Sequence, residues 1–122
     1  MKIYNILKNL APRKPIDISN AFTKTSGTAY LYVVAYYDPV LKRVWGTFSW
    51  YDFDAVASTT TNIVTVDAAY RPPANTIAPA FVALQNNSVG VYYCVFRTDG
   101  GVRQVYTSTA NRVFVSFDYY LS

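Results

Sequence analysis

From Thr28 onward, apolar and polar side chains alternate with a period of two, the spacing of a strand whose successive residues point to opposite faces. In "TAYLYVVAYY", residues 28 to 37, Tyr30, Tyr32, Val34 and Tyr36 share one face, and Ala29, Leu31, Val33, Ala35 and Tyr37 share the other. Asp38-Pro39 then reads as a turn, and "RVWGTFSWY" as the hairpin partner. Further strands are predicted in "NIVTV" (62–66), "TIAPAFVAL" (76–84), "SVGVYYCVF" (88–96), "VRQVYTS" (102–108) and "RVFVSFDYYL" (112–121). Asn86-Asn87 and Asp99-Gly100-Gly101 separate the later ones, and Asp-Gly is a hairpin signal because both residues tolerate positive φ. The pattern predicts an all-β domain of about seven antiparallel strands, a β-sandwich or small β-barrel of jelly-roll type.

Several strands are apolar on both faces. In "SVGVYYCVF", Val89, Val91, Tyr93 and Val95 oppose Gly90, Tyr92, Cys94 and Phe96. A two-layer monomer leaves one face of each sheet polar, so a second apolar face means either an unusual barrel core or a partner that covers it, and a symmetric homo-oligomer supplies such a partner. Tyrosine suits such a boundary, since its ring buries apolar area while its hydroxyl finds a hydrogen bond.

Residues 1–27 break this pattern. They hold four of the five lysines and two prolines, end at Ser26-Gly27, and place Ile3, Ile6, Leu7 and Leu10 at helical spacing ahead of Pro12. They read as an N-terminal appendage before a head domain at 28–122, either a stem or attachment segment or a short helix folded on its own domain. Within the head, "AAYRPPANTIAPAF" (68–81) carries three prolines. Proline cannot donate to a ladder and extends the residue before it, so Arg71-Pro72-Pro73 is expected to be a rigid connector, with Pro79 at an edge or bulge.

Composition reinforces the strand reading: aromatics make up 17% of the chain, and glutamate, the common filler of exposed helical turns, is absent. Histidine is absent too, which removes Ser-His-Asp triads, Cys-His dyads and the usual zinc sites. The single Cys94 excludes an internal disulfide and reads as a small core hydrophobe. Scattered glycines form no phosphate loop, so no cofactor is expected. Lys8 interrupts the only apolar run at the N-terminus, and no segment is long enough for a membrane helix. The net charge of +4 is dispersed, with Arg71, Arg97, Arg103 and Arg112 near strand ends or turns, which argues against a nucleic-acid-binding barrel.

One constellation has binding chemistry. Trp45, Trp50 and Tyr51 stand near the carboxylates of "WYDFD", Asp52 and Asp54. Aromatic faces beside carboxylates or guanidinium groups form a saccharide platform, because the apolar face of a pyranose stacks on a ring while its hydroxyls need fixed polar partners. With Arg71 these five residues make the candidate saccharide site. The same two aspartates, two apart on a strand, form the only carboxylate pair suited to a metal or to paired-acid hydrolysis, and turn-forming roles are the simpler account of them; no catalytic or metal site is expected.

The run "VDAAYRPPANTIAPAFV", a glycine-containing strand, a "DGG" hairpin and the closing "NRVFVSFDYYLS" together resemble the C-terminal head domains of bacteriophage tail-fibre and baseplate receptor-binding proteins. Those heads carry an extended "aGYRPs" segment before short strands and end in an aromatic pair and a leucine. The resemblance covers residues 62–122, with Tyr70, Arg71, Pro72, Gly100 and Leu121 as the correspondences and Ala69 where the family often has Gly. It implies a homotrimeric β-domain at the tip of a virion appendage, assembled in the host cytoplasm, joined to other virion proteins through residues 1–27 and binding host-surface saccharide without turnover. A head-fibre or decoration protein without glycan affinity is the first alternative, and a single-stranded nucleic-acid-binding β-barrel the second.

Overall fold

The computed structural model describes residues 14–25, 27–52, 61–84, 88–104 and 110–121. Among them run nine strands: β1 (Ile16–Asp17), β2 (Phe22–Lys24), β3 (Tyr30–Asp38), β4 (Arg43–Tyr51), β5 (Val64–Val66), β6 (Thr76–Leu84), β7 (Val89–Phe96), β8 (Gly101–Gln104) and β9 (Ala110–Tyr120). They form one sheet in the order β1-β3-β4-β9-β6-β7-β8-β5-β2, with every pair antiparallel.

That order forces the sheet to curl. β1 and β2 lie on opposite edges, yet only Ile18–Ala21 connects them. Nine strands at about 4.8 Å spacing make a flat sheet roughly 38 Å wide, whereas the chain from Asp17 to Phe22 reaches at most roughly 18 Å. The edges therefore approach each other, and the sheet is a half-barrel closed by a 3-10 turn at Ser19–Ala21. This turn laces the two edges together: Ile18 N–H donates to the Ala35 carbonyl on β3 (2.9 Å), Ala35 N–H donates to Ser19 Oγ (3.0 Å), and Asp67 N–H, just after β5, donates to the Ala21 carbonyl (2.9 Å).

Two expectations change here. There are nine strands rather than seven, and residues 16–24 belong to the head sheet, so residue 27 does not separate an appendage from a domain. Strands of two and three residues are too short to display a period, and the lysines and prolines around them obscured them. The helical pattern at residues 3–10 lies outside the described residues, as do residues 105–108 of the strand expected at 102–108.

The β3–β4 hairpin is held at its turn by Asp38, whose Oδ1 accepts from the N–H groups of Val40 (2.9 Å) and Leu41 (3.3 Å), while Lys42 takes φ 54°. Gly46 faces Ala35 in this hairpin, and a Cβ there would sit 2.1 Å from the Val34 carbonyl oxygen; only glycine allows the two backbones to come this close.

Inside the curl, Phe22, Phe48, Phe96, Phe117 and Tyr119 form one aromatic cluster with ring centroids 5.0 to 6.4 Å apart. Val44, Val82, Val102, Val113 and Val115 fill the space around it. Cys94 is fully buried in this core.

The proline connector crosses one end of the half-barrel. Val66 N–H bonds to the Gly100 carbonyl (2.8 Å), Arg71 Nε–H donates to the Val66 carbonyl (2.9 Å), and Thr98 N–H donates to Asn75 Oδ1 (3.1 Å), so residues 67–75 wrap the β7–β8 turn. Gly100 has φ 90°, and a Cβ there would meet Arg71 Nε at 2.4 Å. Pro79 lies within β6 opposite Tyr93 of β7, and the pairing of β6 with β9 begins one residue later, at Ala80. The missing donor thus sits where β6 has a neighbour on one side only, an edge within an otherwise central strand.

Candidate functional site

The outward face of the sheet can be read row by row from the strand register. One row runs Tyr30, Tyr51, Arg112, Ala83, Val89, and the next Tyr32, Ser49, Phe114, Phe81, Val91. Ile77, Phe81, Val89, Val91, Tyr93 and Phe114 are 43 to 73% exposed, so β6, β7 and β9 present an apolar surface outward as well as inward. Alternation within β6 makes the point: Ala78, Ala80, Val82 and Leu84 are buried, while Ile77, Pro79 and Phe81 between them face out.

The small side chains Ser49 and Ala83 leave a depression among larger neighbours. A groove of about 350 Å3 is bounded by Tyr51, Phe81, Val89, Arg112 and Phe114. A second, of about 330 Å3, lies over Tyr30, Tyr32, Ser49 and Tyr51. The two share Ser49 and Tyr51 and form one continuous surface. Tyr30 and Tyr32 are 67% and 71% exposed, and the Tyr30 and Tyr51 rings stack at 6.3 Å.

A β-bulge sets the direction of Arg112. Ala83 pairs with Arg112 but Leu84 with Ala110, leaving Asn111 as the extra residue. Ala110 and Val113 can therefore both point inward while Arg112 points out, its guanidinium 4.4 Å from the centre of the Tyr51 ring.

The six expected site residues do not form one surface. Trp45 and Tyr51 face outward on β4. Trp50, between Ser49 and Tyr51, faces the core at 3% exposure and cannot offer its ring to a sugar; its Nε1 has no hydrogen-bond partner among the described residues. Asp52 is fully buried, with the Thr28 hydroxyl 2.9 and 2.8 Å from its two oxygens, so it ties β4 to the start of β3. Arg71 is engaged in the connector at the barrel end, as described above. Asp54 lies outside the described residues. Alternation already separates Trp50 from Tyr51, but which one faces out depends on the curl of the sheet. Tyr30, Tyr32 and Arg112 were missed as site residues because only the β3–β4–β9 register makes them neighbours of Tyr51.

At the opposite end of the outer face, Arg43 lies 4.8 Å over the Trp45 ring and pairs with both Asp118 oxygens, Nε at 2.9 Å and Nη2 at 2.7 Å. The hydrogen bonds from Arg43 hold the Asp118 carboxyl below the usual carboxylate range, against a smaller opposing effect of desolvation. Hydrogen bonding from the Gly101 N–H does the same for Asp99, and from Ser19 for Asp17. A carboxylate with a depressed folded pKa adds stability above its unfolded pKa, about 3.9, and that stability is lost as pH falls through the folded value. Thermal melts should therefore show the unfolding midpoint steady from neutral pH down to about 5 and falling below about 4. Asp118→Asn should cost no more than about 1 kcal/mol at neutral pH, since the pair is half-exposed, and should shallow the acid decline. An unaltered acid slope in that variant would mean the pair contributes nothing.

Burial pushes the Cys94 thiol up to about 12, so it stays protonated and unreactive at neutral pH. Among the described residues no group of three His, Cys, Asp or Glu side chains is arranged to hold a metal. The arrangement suits recognition, with flat rings and a guanidinium around a shallow groove. Compared with known protein families, curated proteins and solved structures, the chain matches none.

Proposed function

We propose that the chain is the receptor-binding head of a bacteriophage tail fibre or baseplate, a homotrimer that holds host-surface saccharide without turning it over. The observation that carries this reading is the outward face of β6, β7 and β9, where Phe81, Val89, Val91 and Phe114 stand in water in a single copy. Large contiguous apolar patches on soluble chains mark interaction surfaces. A second and third copy of the same chain, related by a closed rotation, remove such a patch from water without leaving a new one at the end of the series. The order of connector, DGG hairpin and closing aromatic strand supports the virion assignment, and the stretch ahead of β1 is the natural link to other virion proteins.

The tyrosines at the β3 border supply the saccharide chemistry. Tyr30, Tyr32 and Tyr51 offer ring faces for sugar stacking and hydroxyls for hydrogen bonds, beside rather than within the most apolar strip. This strip replaces the tryptophan–aspartate platform expected from sequence.

The test is binding of the intact chain to a panel of purified bacterial wall polysaccharides. Tyr32→Ala combined with Tyr51→Ala should reduce binding about tenfold or more while leaving the sedimentation profile unchanged. Equal binding by the variant would remove these rings from the site. Trimers that bind no wall polysaccharide at all would favour a head-fibre or decoration role.

A further inference from the structure

We infer that the saccharide held on the outer face is anionic, and that Arg112 recognises its carboxylate or phosphate group. The inference rests on the saccharide-binding reading above and adds the charge of the ligand to it. Arg112 is exposed at the rim of the 350 Å3 groove, and among the described residues no carboxylate pairs with it. The contrast with Arg43 on the same sheet is direct, since Arg43 also lies over an aromatic ring but spends its guanidinium on Asp118.

The geometry around Arg112 leaves its donors available. Arg112 Cζ lies 4.4 Å from the centre of the Tyr51 ring, a cation–π contact that consumes none of the guanidinium's N–H donors. That planar fork matches the two oxygens of a carboxylate or phosphate. The Asn111 bulge fixes the outward direction of the side chain, and Ala83, next to it in the same row, is too small to fill the space over the groove. Phe81, Val89 and Phe114 beside it carry no competing anion, and where a neighbouring copy covers them they keep water from one flank of Arg112 and strengthen a charge pair made on its Tyr51 side. Tyr30 and Tyr32 lie on the other side of Tyr51, so a sugar ring stacked there can carry its acidic substituent toward Arg112. The chain's net charge of +4 adds long-range attraction for an acidic polymer.

The experiment measures binding of the full chain to immobilised oligosaccharides in three matched sets: neutral, uronate-bearing and phosphate-bearing. The wild-type chain should bind one of the two acidic sets at least about tenfold more tightly than the neutral set, the gain expected of a charged hydrogen-bond pair. The preference should shrink with added salt. Arg112→Gln should abolish it and leave neutral binding in place, while Arg97→Gln, the same charge change at the distant β7–β8 turn, should preserve it. The uronate and phosphate arms identify which acid is read.

Equal binding of neutral and acidic sets by the wild-type chain would overturn the inference while leaving the saccharide reading intact. Binding to none of the three sets would overturn both. An acid preference that survives Arg112→Gln would overturn the assignment to this residue. So would an Arg112→Gln chain that loses the preference only together with its trimeric mass, because the guanidinium would then be serving a neighbouring copy.

Discussion

Replacing Phe81 by Lys and Val91 by Asp should turn the proposed three-chain assembly into single chains without unfolding them. The two residues face each other directly across β6 and β7, are 57% and 64% exposed, and stand at the centre of the outward apolar strip. Opposite charges placed across an antiparallel pair are compatible with the sheet, so each copy keeps its strands. Inside a contact between copies the same pair must be stripped of water, and the desolvation of two charges exceeds what their mutual attraction returns, a cost of several kcal/mol. Association should weaken by at least about a hundredfold, the loss that accompanies removal of a central interface contact. Sedimentation velocity reads the change in mass, and far-ultraviolet circular dichroism confirms that the strands persist. A variant that still sediments with the wild-type chain would show that copies do not meet through this strip.

The second large effect lies on the inward face. Phe96 is fully buried, with ring centroids 5.0 Å from Phe117, 5.7 Å from Tyr119 and 6.2 Å from Phe48. Those partners come from β4 and β9, so Phe96 on β7 joins the two halves of the curled sheet through its interior. Truncation to alanine removes the ring and leaves a cavity that rigid strands close only in part, which costs about 3 to 5 kcal/mol. Against a typical total of about 5 to 15 kcal/mol, this is a large fraction. Phe96→Ala should lower the urea midpoint sharply or prevent folding at 37 °C, whereas Phe96→Leu should recover much of the loss. A midpoint within experimental error of wild type for Phe96→Ala would contradict the position of the core.

The same alternation that makes these strands legible also limits what can be read from them. β3, β4, β6, β7 and β9 are long enough for their two-residue period to show, and their spans follow the apolar runs closely. The second apolar face was legible too, because Val89, Val91 and Tyr93 alternate with Tyr92, Cys94 and Phe96 in "SVGVYYCVF". β1 and β2 were not. Two and three residues carry no period, and their place at the seam arises from Ala35 and Asp67 reaching the 3-10 turn between them, contacts made by backbone atoms and the one hydroxyl of Ser19, which apolar–polar alternation does not encode.

The site was harder still. A list of aromatic and charged residues near one another in sequence mixed the two faces of β4, placing Trp50 and Asp52 beside Tyr51 when the core takes the first two. Arg112 is 61 positions from Tyr51, and its place over that ring follows from β4 pairing with β9 and from one extra residue at Asn111. Pairing between strands distant in sequence depends on the whole fold, and a one-residue slip would send Arg112 into the core.

Sedimentation equilibrium of the unaltered chain at micromolar concentration is the most direct measurement. The result expected is a single species of three times the 13.7 kDa chain mass, with the strip around Phe81, Val91 and Phe114 protected from solvent in hydroxyl-radical footprinting. A stable 13.7 kDa species with that strip fully labelled would contradict the account, for the surplus apolar face would then need no cover.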